Sequence, residues 1–219
     1  MTSSLRLCAL LITAGLSATT SASVLPLFAT GEAYASQSGE FLYLEMHFCR
    51  EDGLLCEVQY RDGEGGVLAT KFLDYQRSAV APQVVLQVER LQEKRELLPP
   101  PDAEHVVDAG FDNYVRSQWD ALLAGQRVTF RFQPMGFDRP FAMRAEVRNE
   151  DCDALHLCLQ VRVDSWLLGL VAKPLQLVYS RDSRRLLQYS GVSNLRNAEG
   201  ETPEVDIRYR YPTTAAETP

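Results

Sequence analysis

The chain reads as an α+β protein, predominantly antiparallel β: a curved sheet or half-barrel with one main helix, about 111–124, on its apolar face. Three observations predict this. The segment Val106–Gln133 carries a helical apolar stripe. Runs of two-residue alternation flank it on both sides, the signature of strands with one wet face. The alternation also resumes directly after the helix, so a helix hands over to a strand through one tight turn.

The helix comes first. Phe111, Tyr114, Val115, Trp119, Leu122 and Leu123 fall on one face of a 3.6-residue period. Asp112, or Asp108 one turn earlier, can cap its start, because a carboxylate accepts from backbone N–H groups that lack helical partners. Gly125 suits the left-handed residue that closes a helix. Val128, Phe130 and Phe132 then alternate with Arg127, Thr129, Arg131 and Gln133.

The strands follow in chain order. Leu42, Leu44, Met46 and Phe48 make one face, opposite Tyr43, Glu45 and His47. Cys56, Val58 and Tyr60 alternate with Glu57 and Gln59. Placing Cys49 across from Cys56 puts Met46 and Phe48 on the same face as Glu57 and Gln59, because register parity decides the face. An irregular loop, a bulge, or a sheet half-buried on both faces would each resolve that conflict. A turn at 62–66 leads to a strand over 67–75, and Val84, Leu86 and Val88 form another. Leu91–Leu98 is charged and reads as an edge or loop ended by three prolines. Beyond the helix, Phe141, Met143, Ala145 and Val147 share a face, as do Leu155, Leu157, Leu159, Val161 and Val163. Leu175–Tyr179, Leu186–Tyr189 and Val205–Tyr211 complete the set. The apolar run 166–172 reads as buried core, with a lid over an apolar cavity as the sharper alternative. Residues 23–211 form one domain, and 212–219 a disordered tail.

The first 22 residues read as a secretory signal: Arg6, a short apolar run and small residues at 20–22. That run is too short to span a bilayer, which takes about 20 apolar residues. Its removal leaves 21 basic against 29 acidic residues, a formal charge of −8. Such a balance argues against a nucleic-acid partner, which requires a basic face. Cys49, Cys56, Cys152 and Cys158 then remain, an even number in an exported chain, which predicts disulfides. The local pairs Cys49–Cys56 and Cys152–Cys158 each close a short loop. Cys158 falls on a polar face, so its bond should be a surface staple. Neither pair has zinc-ligand spacing.

No serine-hydrolase elbow, zinc-protease helix, phosphate-cradling loop or dinucleotide fingerprint is present, and no cofactor is expected. Three constellations remain. His105, Asp108 and Asp112 could hold a metal or move a proton, although carboxylates at a helix start ordinarily serve the helix. Glu45 and His47 share a strand face and could project into a cavity; a hydrogen-bonded pair is the plainer account. Ser190–Asn194 offers hydroxyls without a nearby base, which turn chemistry explains.

The late strands Leu175–Tyr179 and Leu186–Tyr189, with the 197–200 turn into Val205–Tyr211, resemble the closing meander of the LolA/LolB-like periplasmic lipoprotein carriers. The likeness covers about the last fifth of the chain. VDAGFD (107–112) and GVSNL (191–195) also look like signatures of a family of bacterial exported proteins. The carrier resemblance implies a half-barrel in the periplasm with a lipid in its concavity; it brings no binding residue onto a position here.

The expected function is therefore that of an exported, periplasmic, non-enzymatic protein binding a hydrophobic ligand, such as an acyl chain, beneath the 111–123 helix. Phe111, Tyr114, Trp119, Phe130, Phe132 and Trp166 are the expected pocket lining. The rival expectation is that these residues simply fill a core, and that the protein is a cell-envelope interaction or assembly protein using a sheet edge or exposed patch. A hydrolase or metal-dependent enzyme at one of the acidic constellations is the third.

Overall fold

The computed structural model describes residues 25–100, 102–148, 150, 152–165, 173–197 and 200–212. The expected leader, the apolar run 166–172 with Trp166, and the tail from 213 lie outside the described residues.

Six strands precede the helical segment: β1 (Leu27–Ala35), β2 (Phe41–Cys49), β3 (Leu55–Arg61), β4 (Val67–Asp74), β5 (Gln83–Val88) and β6 (Glu93–Leu97). A two-residue strand, β7 (Val106–Val107), leads into α1 (Gly110–Ser117) and α2 (Trp119–Leu123). Then come β8 (Val128–Gln133), β9 (Phe141–Val147), β10 (His156–Val163), β11 (Leu175–Ser180), β12 (Leu186–Val192) and β13 (Glu204–Arg210). All thirteen strands join one unclosed, curved sheet, ordered β6-β5-β4-β3-β2-β1-β13-β12-β11-β10-β9-β8-β7. Every pairing is antiparallel except β7 with β8.

Because β6 and β7 sit at opposite ends of that order, residues 98–105 must carry the chain from one edge of the sheet to the other. The traverse brings Ala103, Val107 and Ala109 into the core of the N-terminal half. Val107 N–H donates to Val80 O at 2.9 Å, which satisfies the β7 edge with a loop. At the other end, β6 alternates Glu93, Lys94, Arg95 and Glu96, a charged edge that discourages pairing with a further strand. Among the described residues no helix is long and apolar enough to cross a membrane.

The single expected helix is two short ones, broken at Gln118 (φ −99°, ψ 13°). The Ser117 hydroxyl donates to Tyr114 O at 2.7 Å, and Gln118 N–H is shared between the carbonyls of Tyr114 and Val115. A serine hydroxyl competing for a helix carbonyl is a known cause of bending. The expected stop at Gly125 is present in full: φ is +74°, its N–H reaches Leu122 O, and Gln126 N–H reaches Ala121 O. Capping differs from expectation. Asp112 lies inside the first turn and pairs with Arg116, whereas Asp108 Oδ1 accepts from Ala109 N–H at 2.8 Å.

Two packed clusters fill the inner face. Under α1 and α2, Val115, Trp119 and Leu122 meet Val128, Met143, Ala145, Leu157, Leu159, Val161, Leu177 and Tyr179. These are the one-sided apolar strands of the C-terminal half, facing as their alternation predicts. In the N-terminal half, Cys49 does sit directly across from Cys56. The side of β2 that turns inward carries Tyr43, Glu45 and His47, while Leu44, Met46 and Phe48 stay half-buried on the outer face. The parity conflict thus resolves as a sheet partly covered on both faces. β1, with Ala29, Gly31 and Ala33 turned inward, is an element that the sequence pattern did not suggest.

Candidate functional site

Among the aliphatic residues on the inner face of the N-terminal half lies a polar and aromatic group. Antiparallel register places Tyr60, Glu45, Gly31 and Tyr209 in one row across β3, β2, β1 and β13. Glu45 is 3% exposed, yet its carboxylate has partners: Tyr209 Oη donates to Oε2 at 3.0 Å, and His47 Nε2 shares the same oxygen at 3.0 Å. The row exists because Gly31 lacks a side chain. A Cβ there would lie 2.7 Å from Tyr209 Cε1, so any larger residue would displace the ring.

Around this carboxylate the tyrosines are held protonated. Burial first, and then the Glu45 charge, push Tyr43, Tyr60, Tyr189 and Tyr209 above their ordinary value of 10.0. Tyr43 Oη shares a 3.0 Å hydrogen bond with the Ser193 hydroxyl, itself buried. Ser193, expected to serve a turn, thus lies against the network. Close by, Lys71 on β4 meets Asp108 in a buried ion pair, and Asp108 Oδ2 also accepts from Met135 N–H at 3.3 Å.

Where the ends of β10, β11, β12 and β13 meet lies a groove of about 600 Å³. Leu155, Leu187, Tyr209 and Tyr211 give it an apolar floor, and Arg181, Arg185 and Arg210 stand at its border with Asp182. Leu155 is 74% exposed there. The arginines are held by neighbours: Arg181 Nε donates to His156 O at 2.7 Å, the Arg185 guanidinium lies 4.8 Å from the Tyr211 ring centre, and Arg210 pairs with Glu32. Tyr209 connects the two regions, flooring the groove while its hydroxyl reaches Glu45. A second concavity, about 280 Å³ and polar, lies on the outer face beside the Cys152–Cys158 disulfide.

The residues expected to line a pocket are placed as follows. Phe111 stacks on Phe130 (5.4 Å between ring centres) and meets Phe132 edge-on (5.8 Å), and Tyr114 approaches Phe130 at 4.9 Å. Trp119 is buried with its ring edge-on to Tyr179 at 5.9 Å. These five sit together between helix and sheet and line neither concavity. Of the acidic constellations, Glu45 and His47 form the hydrogen-bonded pair. His105, Asp108 and Asp112 engage Gln133, Lys71 and Arg116 respectively. Among the described residues, no three or more His, Cys, Asp or Glu side chains gather as metal ligands would. Both local disulfides are present, but Cys158 is buried, 2% exposed, rather than on an open surface.

The groove residues were not anticipated. At the β11–β12 turn the Arg185 guanidinium of the groove lies over the Tyr211 ring, while that of neighbouring Arg184, outside the groove, lies over Trp119.

No protein family and no curated protein matches the chain. A solved structure from Vibrio parahaemolyticus, described as an outer membrane lipoprotein-sorting protein domain, is similar over 87% of this chain and 86% of its own. Sequence identity is 8% and the TM-score 0.27, a weak likeness.

Proposed function

We propose that this is an exported, periplasmic, non-enzymatic protein that binds a hydrophobic or lipid ligand in the concavity of its sheet. The observation that carries this reading is the groove, with its apolar floor of Leu155, Leu187, Tyr209 and Tyr211. Its size falls in the range of ligand sites, roughly 300–1,000 Å³. Leu155, Leu187, Tyr209 and Tyr211 together give the lining contiguous apolar surface suited to an apolar occupant. Arg181, Arg185 and Arg210 at the border suit a ligand with an acyl tail and an anionic end. Two disulfides in so short a chain support export to an oxidising compartment.

Native mass spectrometry of the protein purified from the periplasm tests this. The expected result is a discrete hydrophobic adduct, displaced by oleate in the wild type and absent from a Leu187→Glu variant that retains both disulfides. An apo mass together with no saturable binding of oleate would overturn it.

The alternative is a cell-envelope interaction or assembly protein with a filled core and no ligand. The mutual packing of Phe111, Tyr114, Phe130 and Phe132 favours it, because those rings satisfy one another. Capture of a stoichiometric envelope partner by protein that carries no adduct would select it.

A further inference from the structure

The polar concavity on the outer face is separate from the groove, although His156 borders both. We infer that it is a site for a small oxyanion-bearing solute, a phosphate or carboxylate held by Arg148.

The sheet register builds it. Val178 and Gln188 follow Cys158 across β10, β11 and β12 on the outer face, with Gln176 opposite Ser190 one step further along. Gln176, Gln188 and Ser190 therefore present two amides and a hydroxyl side by side. The Cys152–Cys158 disulfide ties the preceding loop against them and walls one side. Arg148, directly after β9, is positioned by its own backbone, whose N–H donates to Cys158 O at 2.9 Å.

Arg148 differs from its neighbours on this face. Arg144 pairs with Asp164 at 3.0 Å, and Arg162 is engaged by Gln160 and Glu146. Among the described residues the Arg148 side chain has no ion pair and no hydrogen bond; its Nε is buried without an acceptor, as are those of Arg144 and Arg162, whose guanidinium groups are held through another nitrogen. A buried donor left unpaired is the kind of group for which a bound ion is a sufficient explanation. A guanidinium fork matches a carboxylate or phosphate edge, and neighbouring amides and a hydroxyl add donors without adding charge. Among the described residues Asp153 is the one acidic side chain in the lining. Its Oδ1 accepts from Leu155 N–H at 2.9 Å and shares a hydrogen bond with His156 Nδ1 at 2.7 Å. The concavity of about 280 Å³ is several times the ~30 Å³ share of one water. It takes an oxyanion carrying a small organic group.

The experiment is calorimetric titration of the disulfide-intact protein with inorganic phosphate, glycerol phosphate and acetate, against chloride at matched ionic strength. The expected result is saturable one-to-one binding of at least one oxyanion. Arg148→Gln should weaken it by about tenfold or more, the scale of one lost charge-assisted contact. Arg148→Lys, which keeps the charge but not the fork, should fall between, and Arg144→Gln should leave affinity unchanged. Far-UV circular dichroism confirms that each variant is folded. Vesicles containing phosphatidylglycerol, compared with phosphatidylcholine alone, separate the sources. Arg148-dependent vesicle binding places the phosphate on a lipid headgroup, and binding of the free anions without it places it on a soluble metabolite. Absence of saturable binding for all three anions, or equal affinity in Arg148→Gln, would overturn the inference.

Discussion

Lys71 Nζ donates to Asp108 Oδ1 across 2.8 Å, with both side chains out of solvent. The pair joins β4, in the N-terminal half of the sheet, to the turn that launches α1. Asp108 adopts φ +41°, a region that aspartate and asparagine tolerate better than most residues. Removing one member strands the other charge, which typically costs about 3–5 kcal/mol. Lys71→Met and Asp108→Asn should each lower unfolding free energy in urea by roughly that amount. The double variant should lose clearly less than the two single losses added together. Additive losses would show that the two groups are not energetically coupled.

A second prediction concerns Gly31. Alanine is ordinarily the better residue in a strand interior. Here its Cβ would meet the Tyr209 ring at 2.7 Å and Ile207 Cγ2 at 3.0 Å. Gly31→Ala should therefore destabilise by about 1–3 kcal/mol, the usual penalty of overpacking. Truncating the ring in Gly31→Ala/Tyr209→Ala should recover part of what the alanine lost relative to Tyr209→Ala alone. Equal stability of Gly31→Ala and wild type in urea would show that Tyr209 moves aside without penalty.

How much of this was readable beforehand follows from where each residue's partners lie. The strands of the C-terminal half were legible because Met143, Ala145, Leu157, Leu159 and Val161 all face one apolar cluster under the helix. β2 misled for the opposite reason. Its inward side holds Tyr43, Glu45 and His47, whose burial depends on Ser193 and Tyr209, about 150 residues away. β1 was missed because Ala29, Gly31 and Ala33 leave no large apolar signal; their smallness makes room for rings from other strands. Lys71 looks like a solvated strand residue until the chain traverse brings Asp108 to it. The helix break turns on the Ser117 hydroxyl, which apolar periodicity does not register. The groove, lastly, gathers the ends of β10, β11, β12 and β13, and no local pattern announces such a meeting.

The two disulfides should contribute comparably. Each joins cysteines six or seven positions apart, so on a chain-entropy view each adds about 2 kcal/mol. Cys49–Cys56 clips a hairpin already held by the ladder from Leu44 to Cys49. Cys152–Cys158 holds the loop that walls the outer-face concavity. Cys152→Ala/Cys158→Ala should thus lower the urea midpoint and also weaken oxyanion binding, whereas Cys49→Ala/Cys56→Ala should lower the midpoint alone. Loss of anion affinity in both pairs would point to a global effect rather than to that loop.

The tyrosine cluster sets an alkaline limit on the fold. Burial, reinforced by Glu45, Asp108 or Asp112, pushes Tyr43, Tyr60, Tyr75, Tyr179, Tyr189, Tyr209 and Tyr211 above the ordinary 10.0. Each of these hydroxyls binds its proton more tightly folded than unfolded. Their stabilising effect is therefore complete below pH 10, and it is lost as pH rises above that value, because the unfolded chain ionises first. With seven groups acting together the decline should be steep, and unfolding should release the protons in one step. Tyrosinate absorbance at alkaline pH should accordingly rise together with the loss of far-UV ellipticity. Gradual ionisation centred near pH 10 with the sheet signal intact would mean that the Glu45 cluster is open to solvent, and the closed row from Tyr60 to Tyr209 would have to be redrawn.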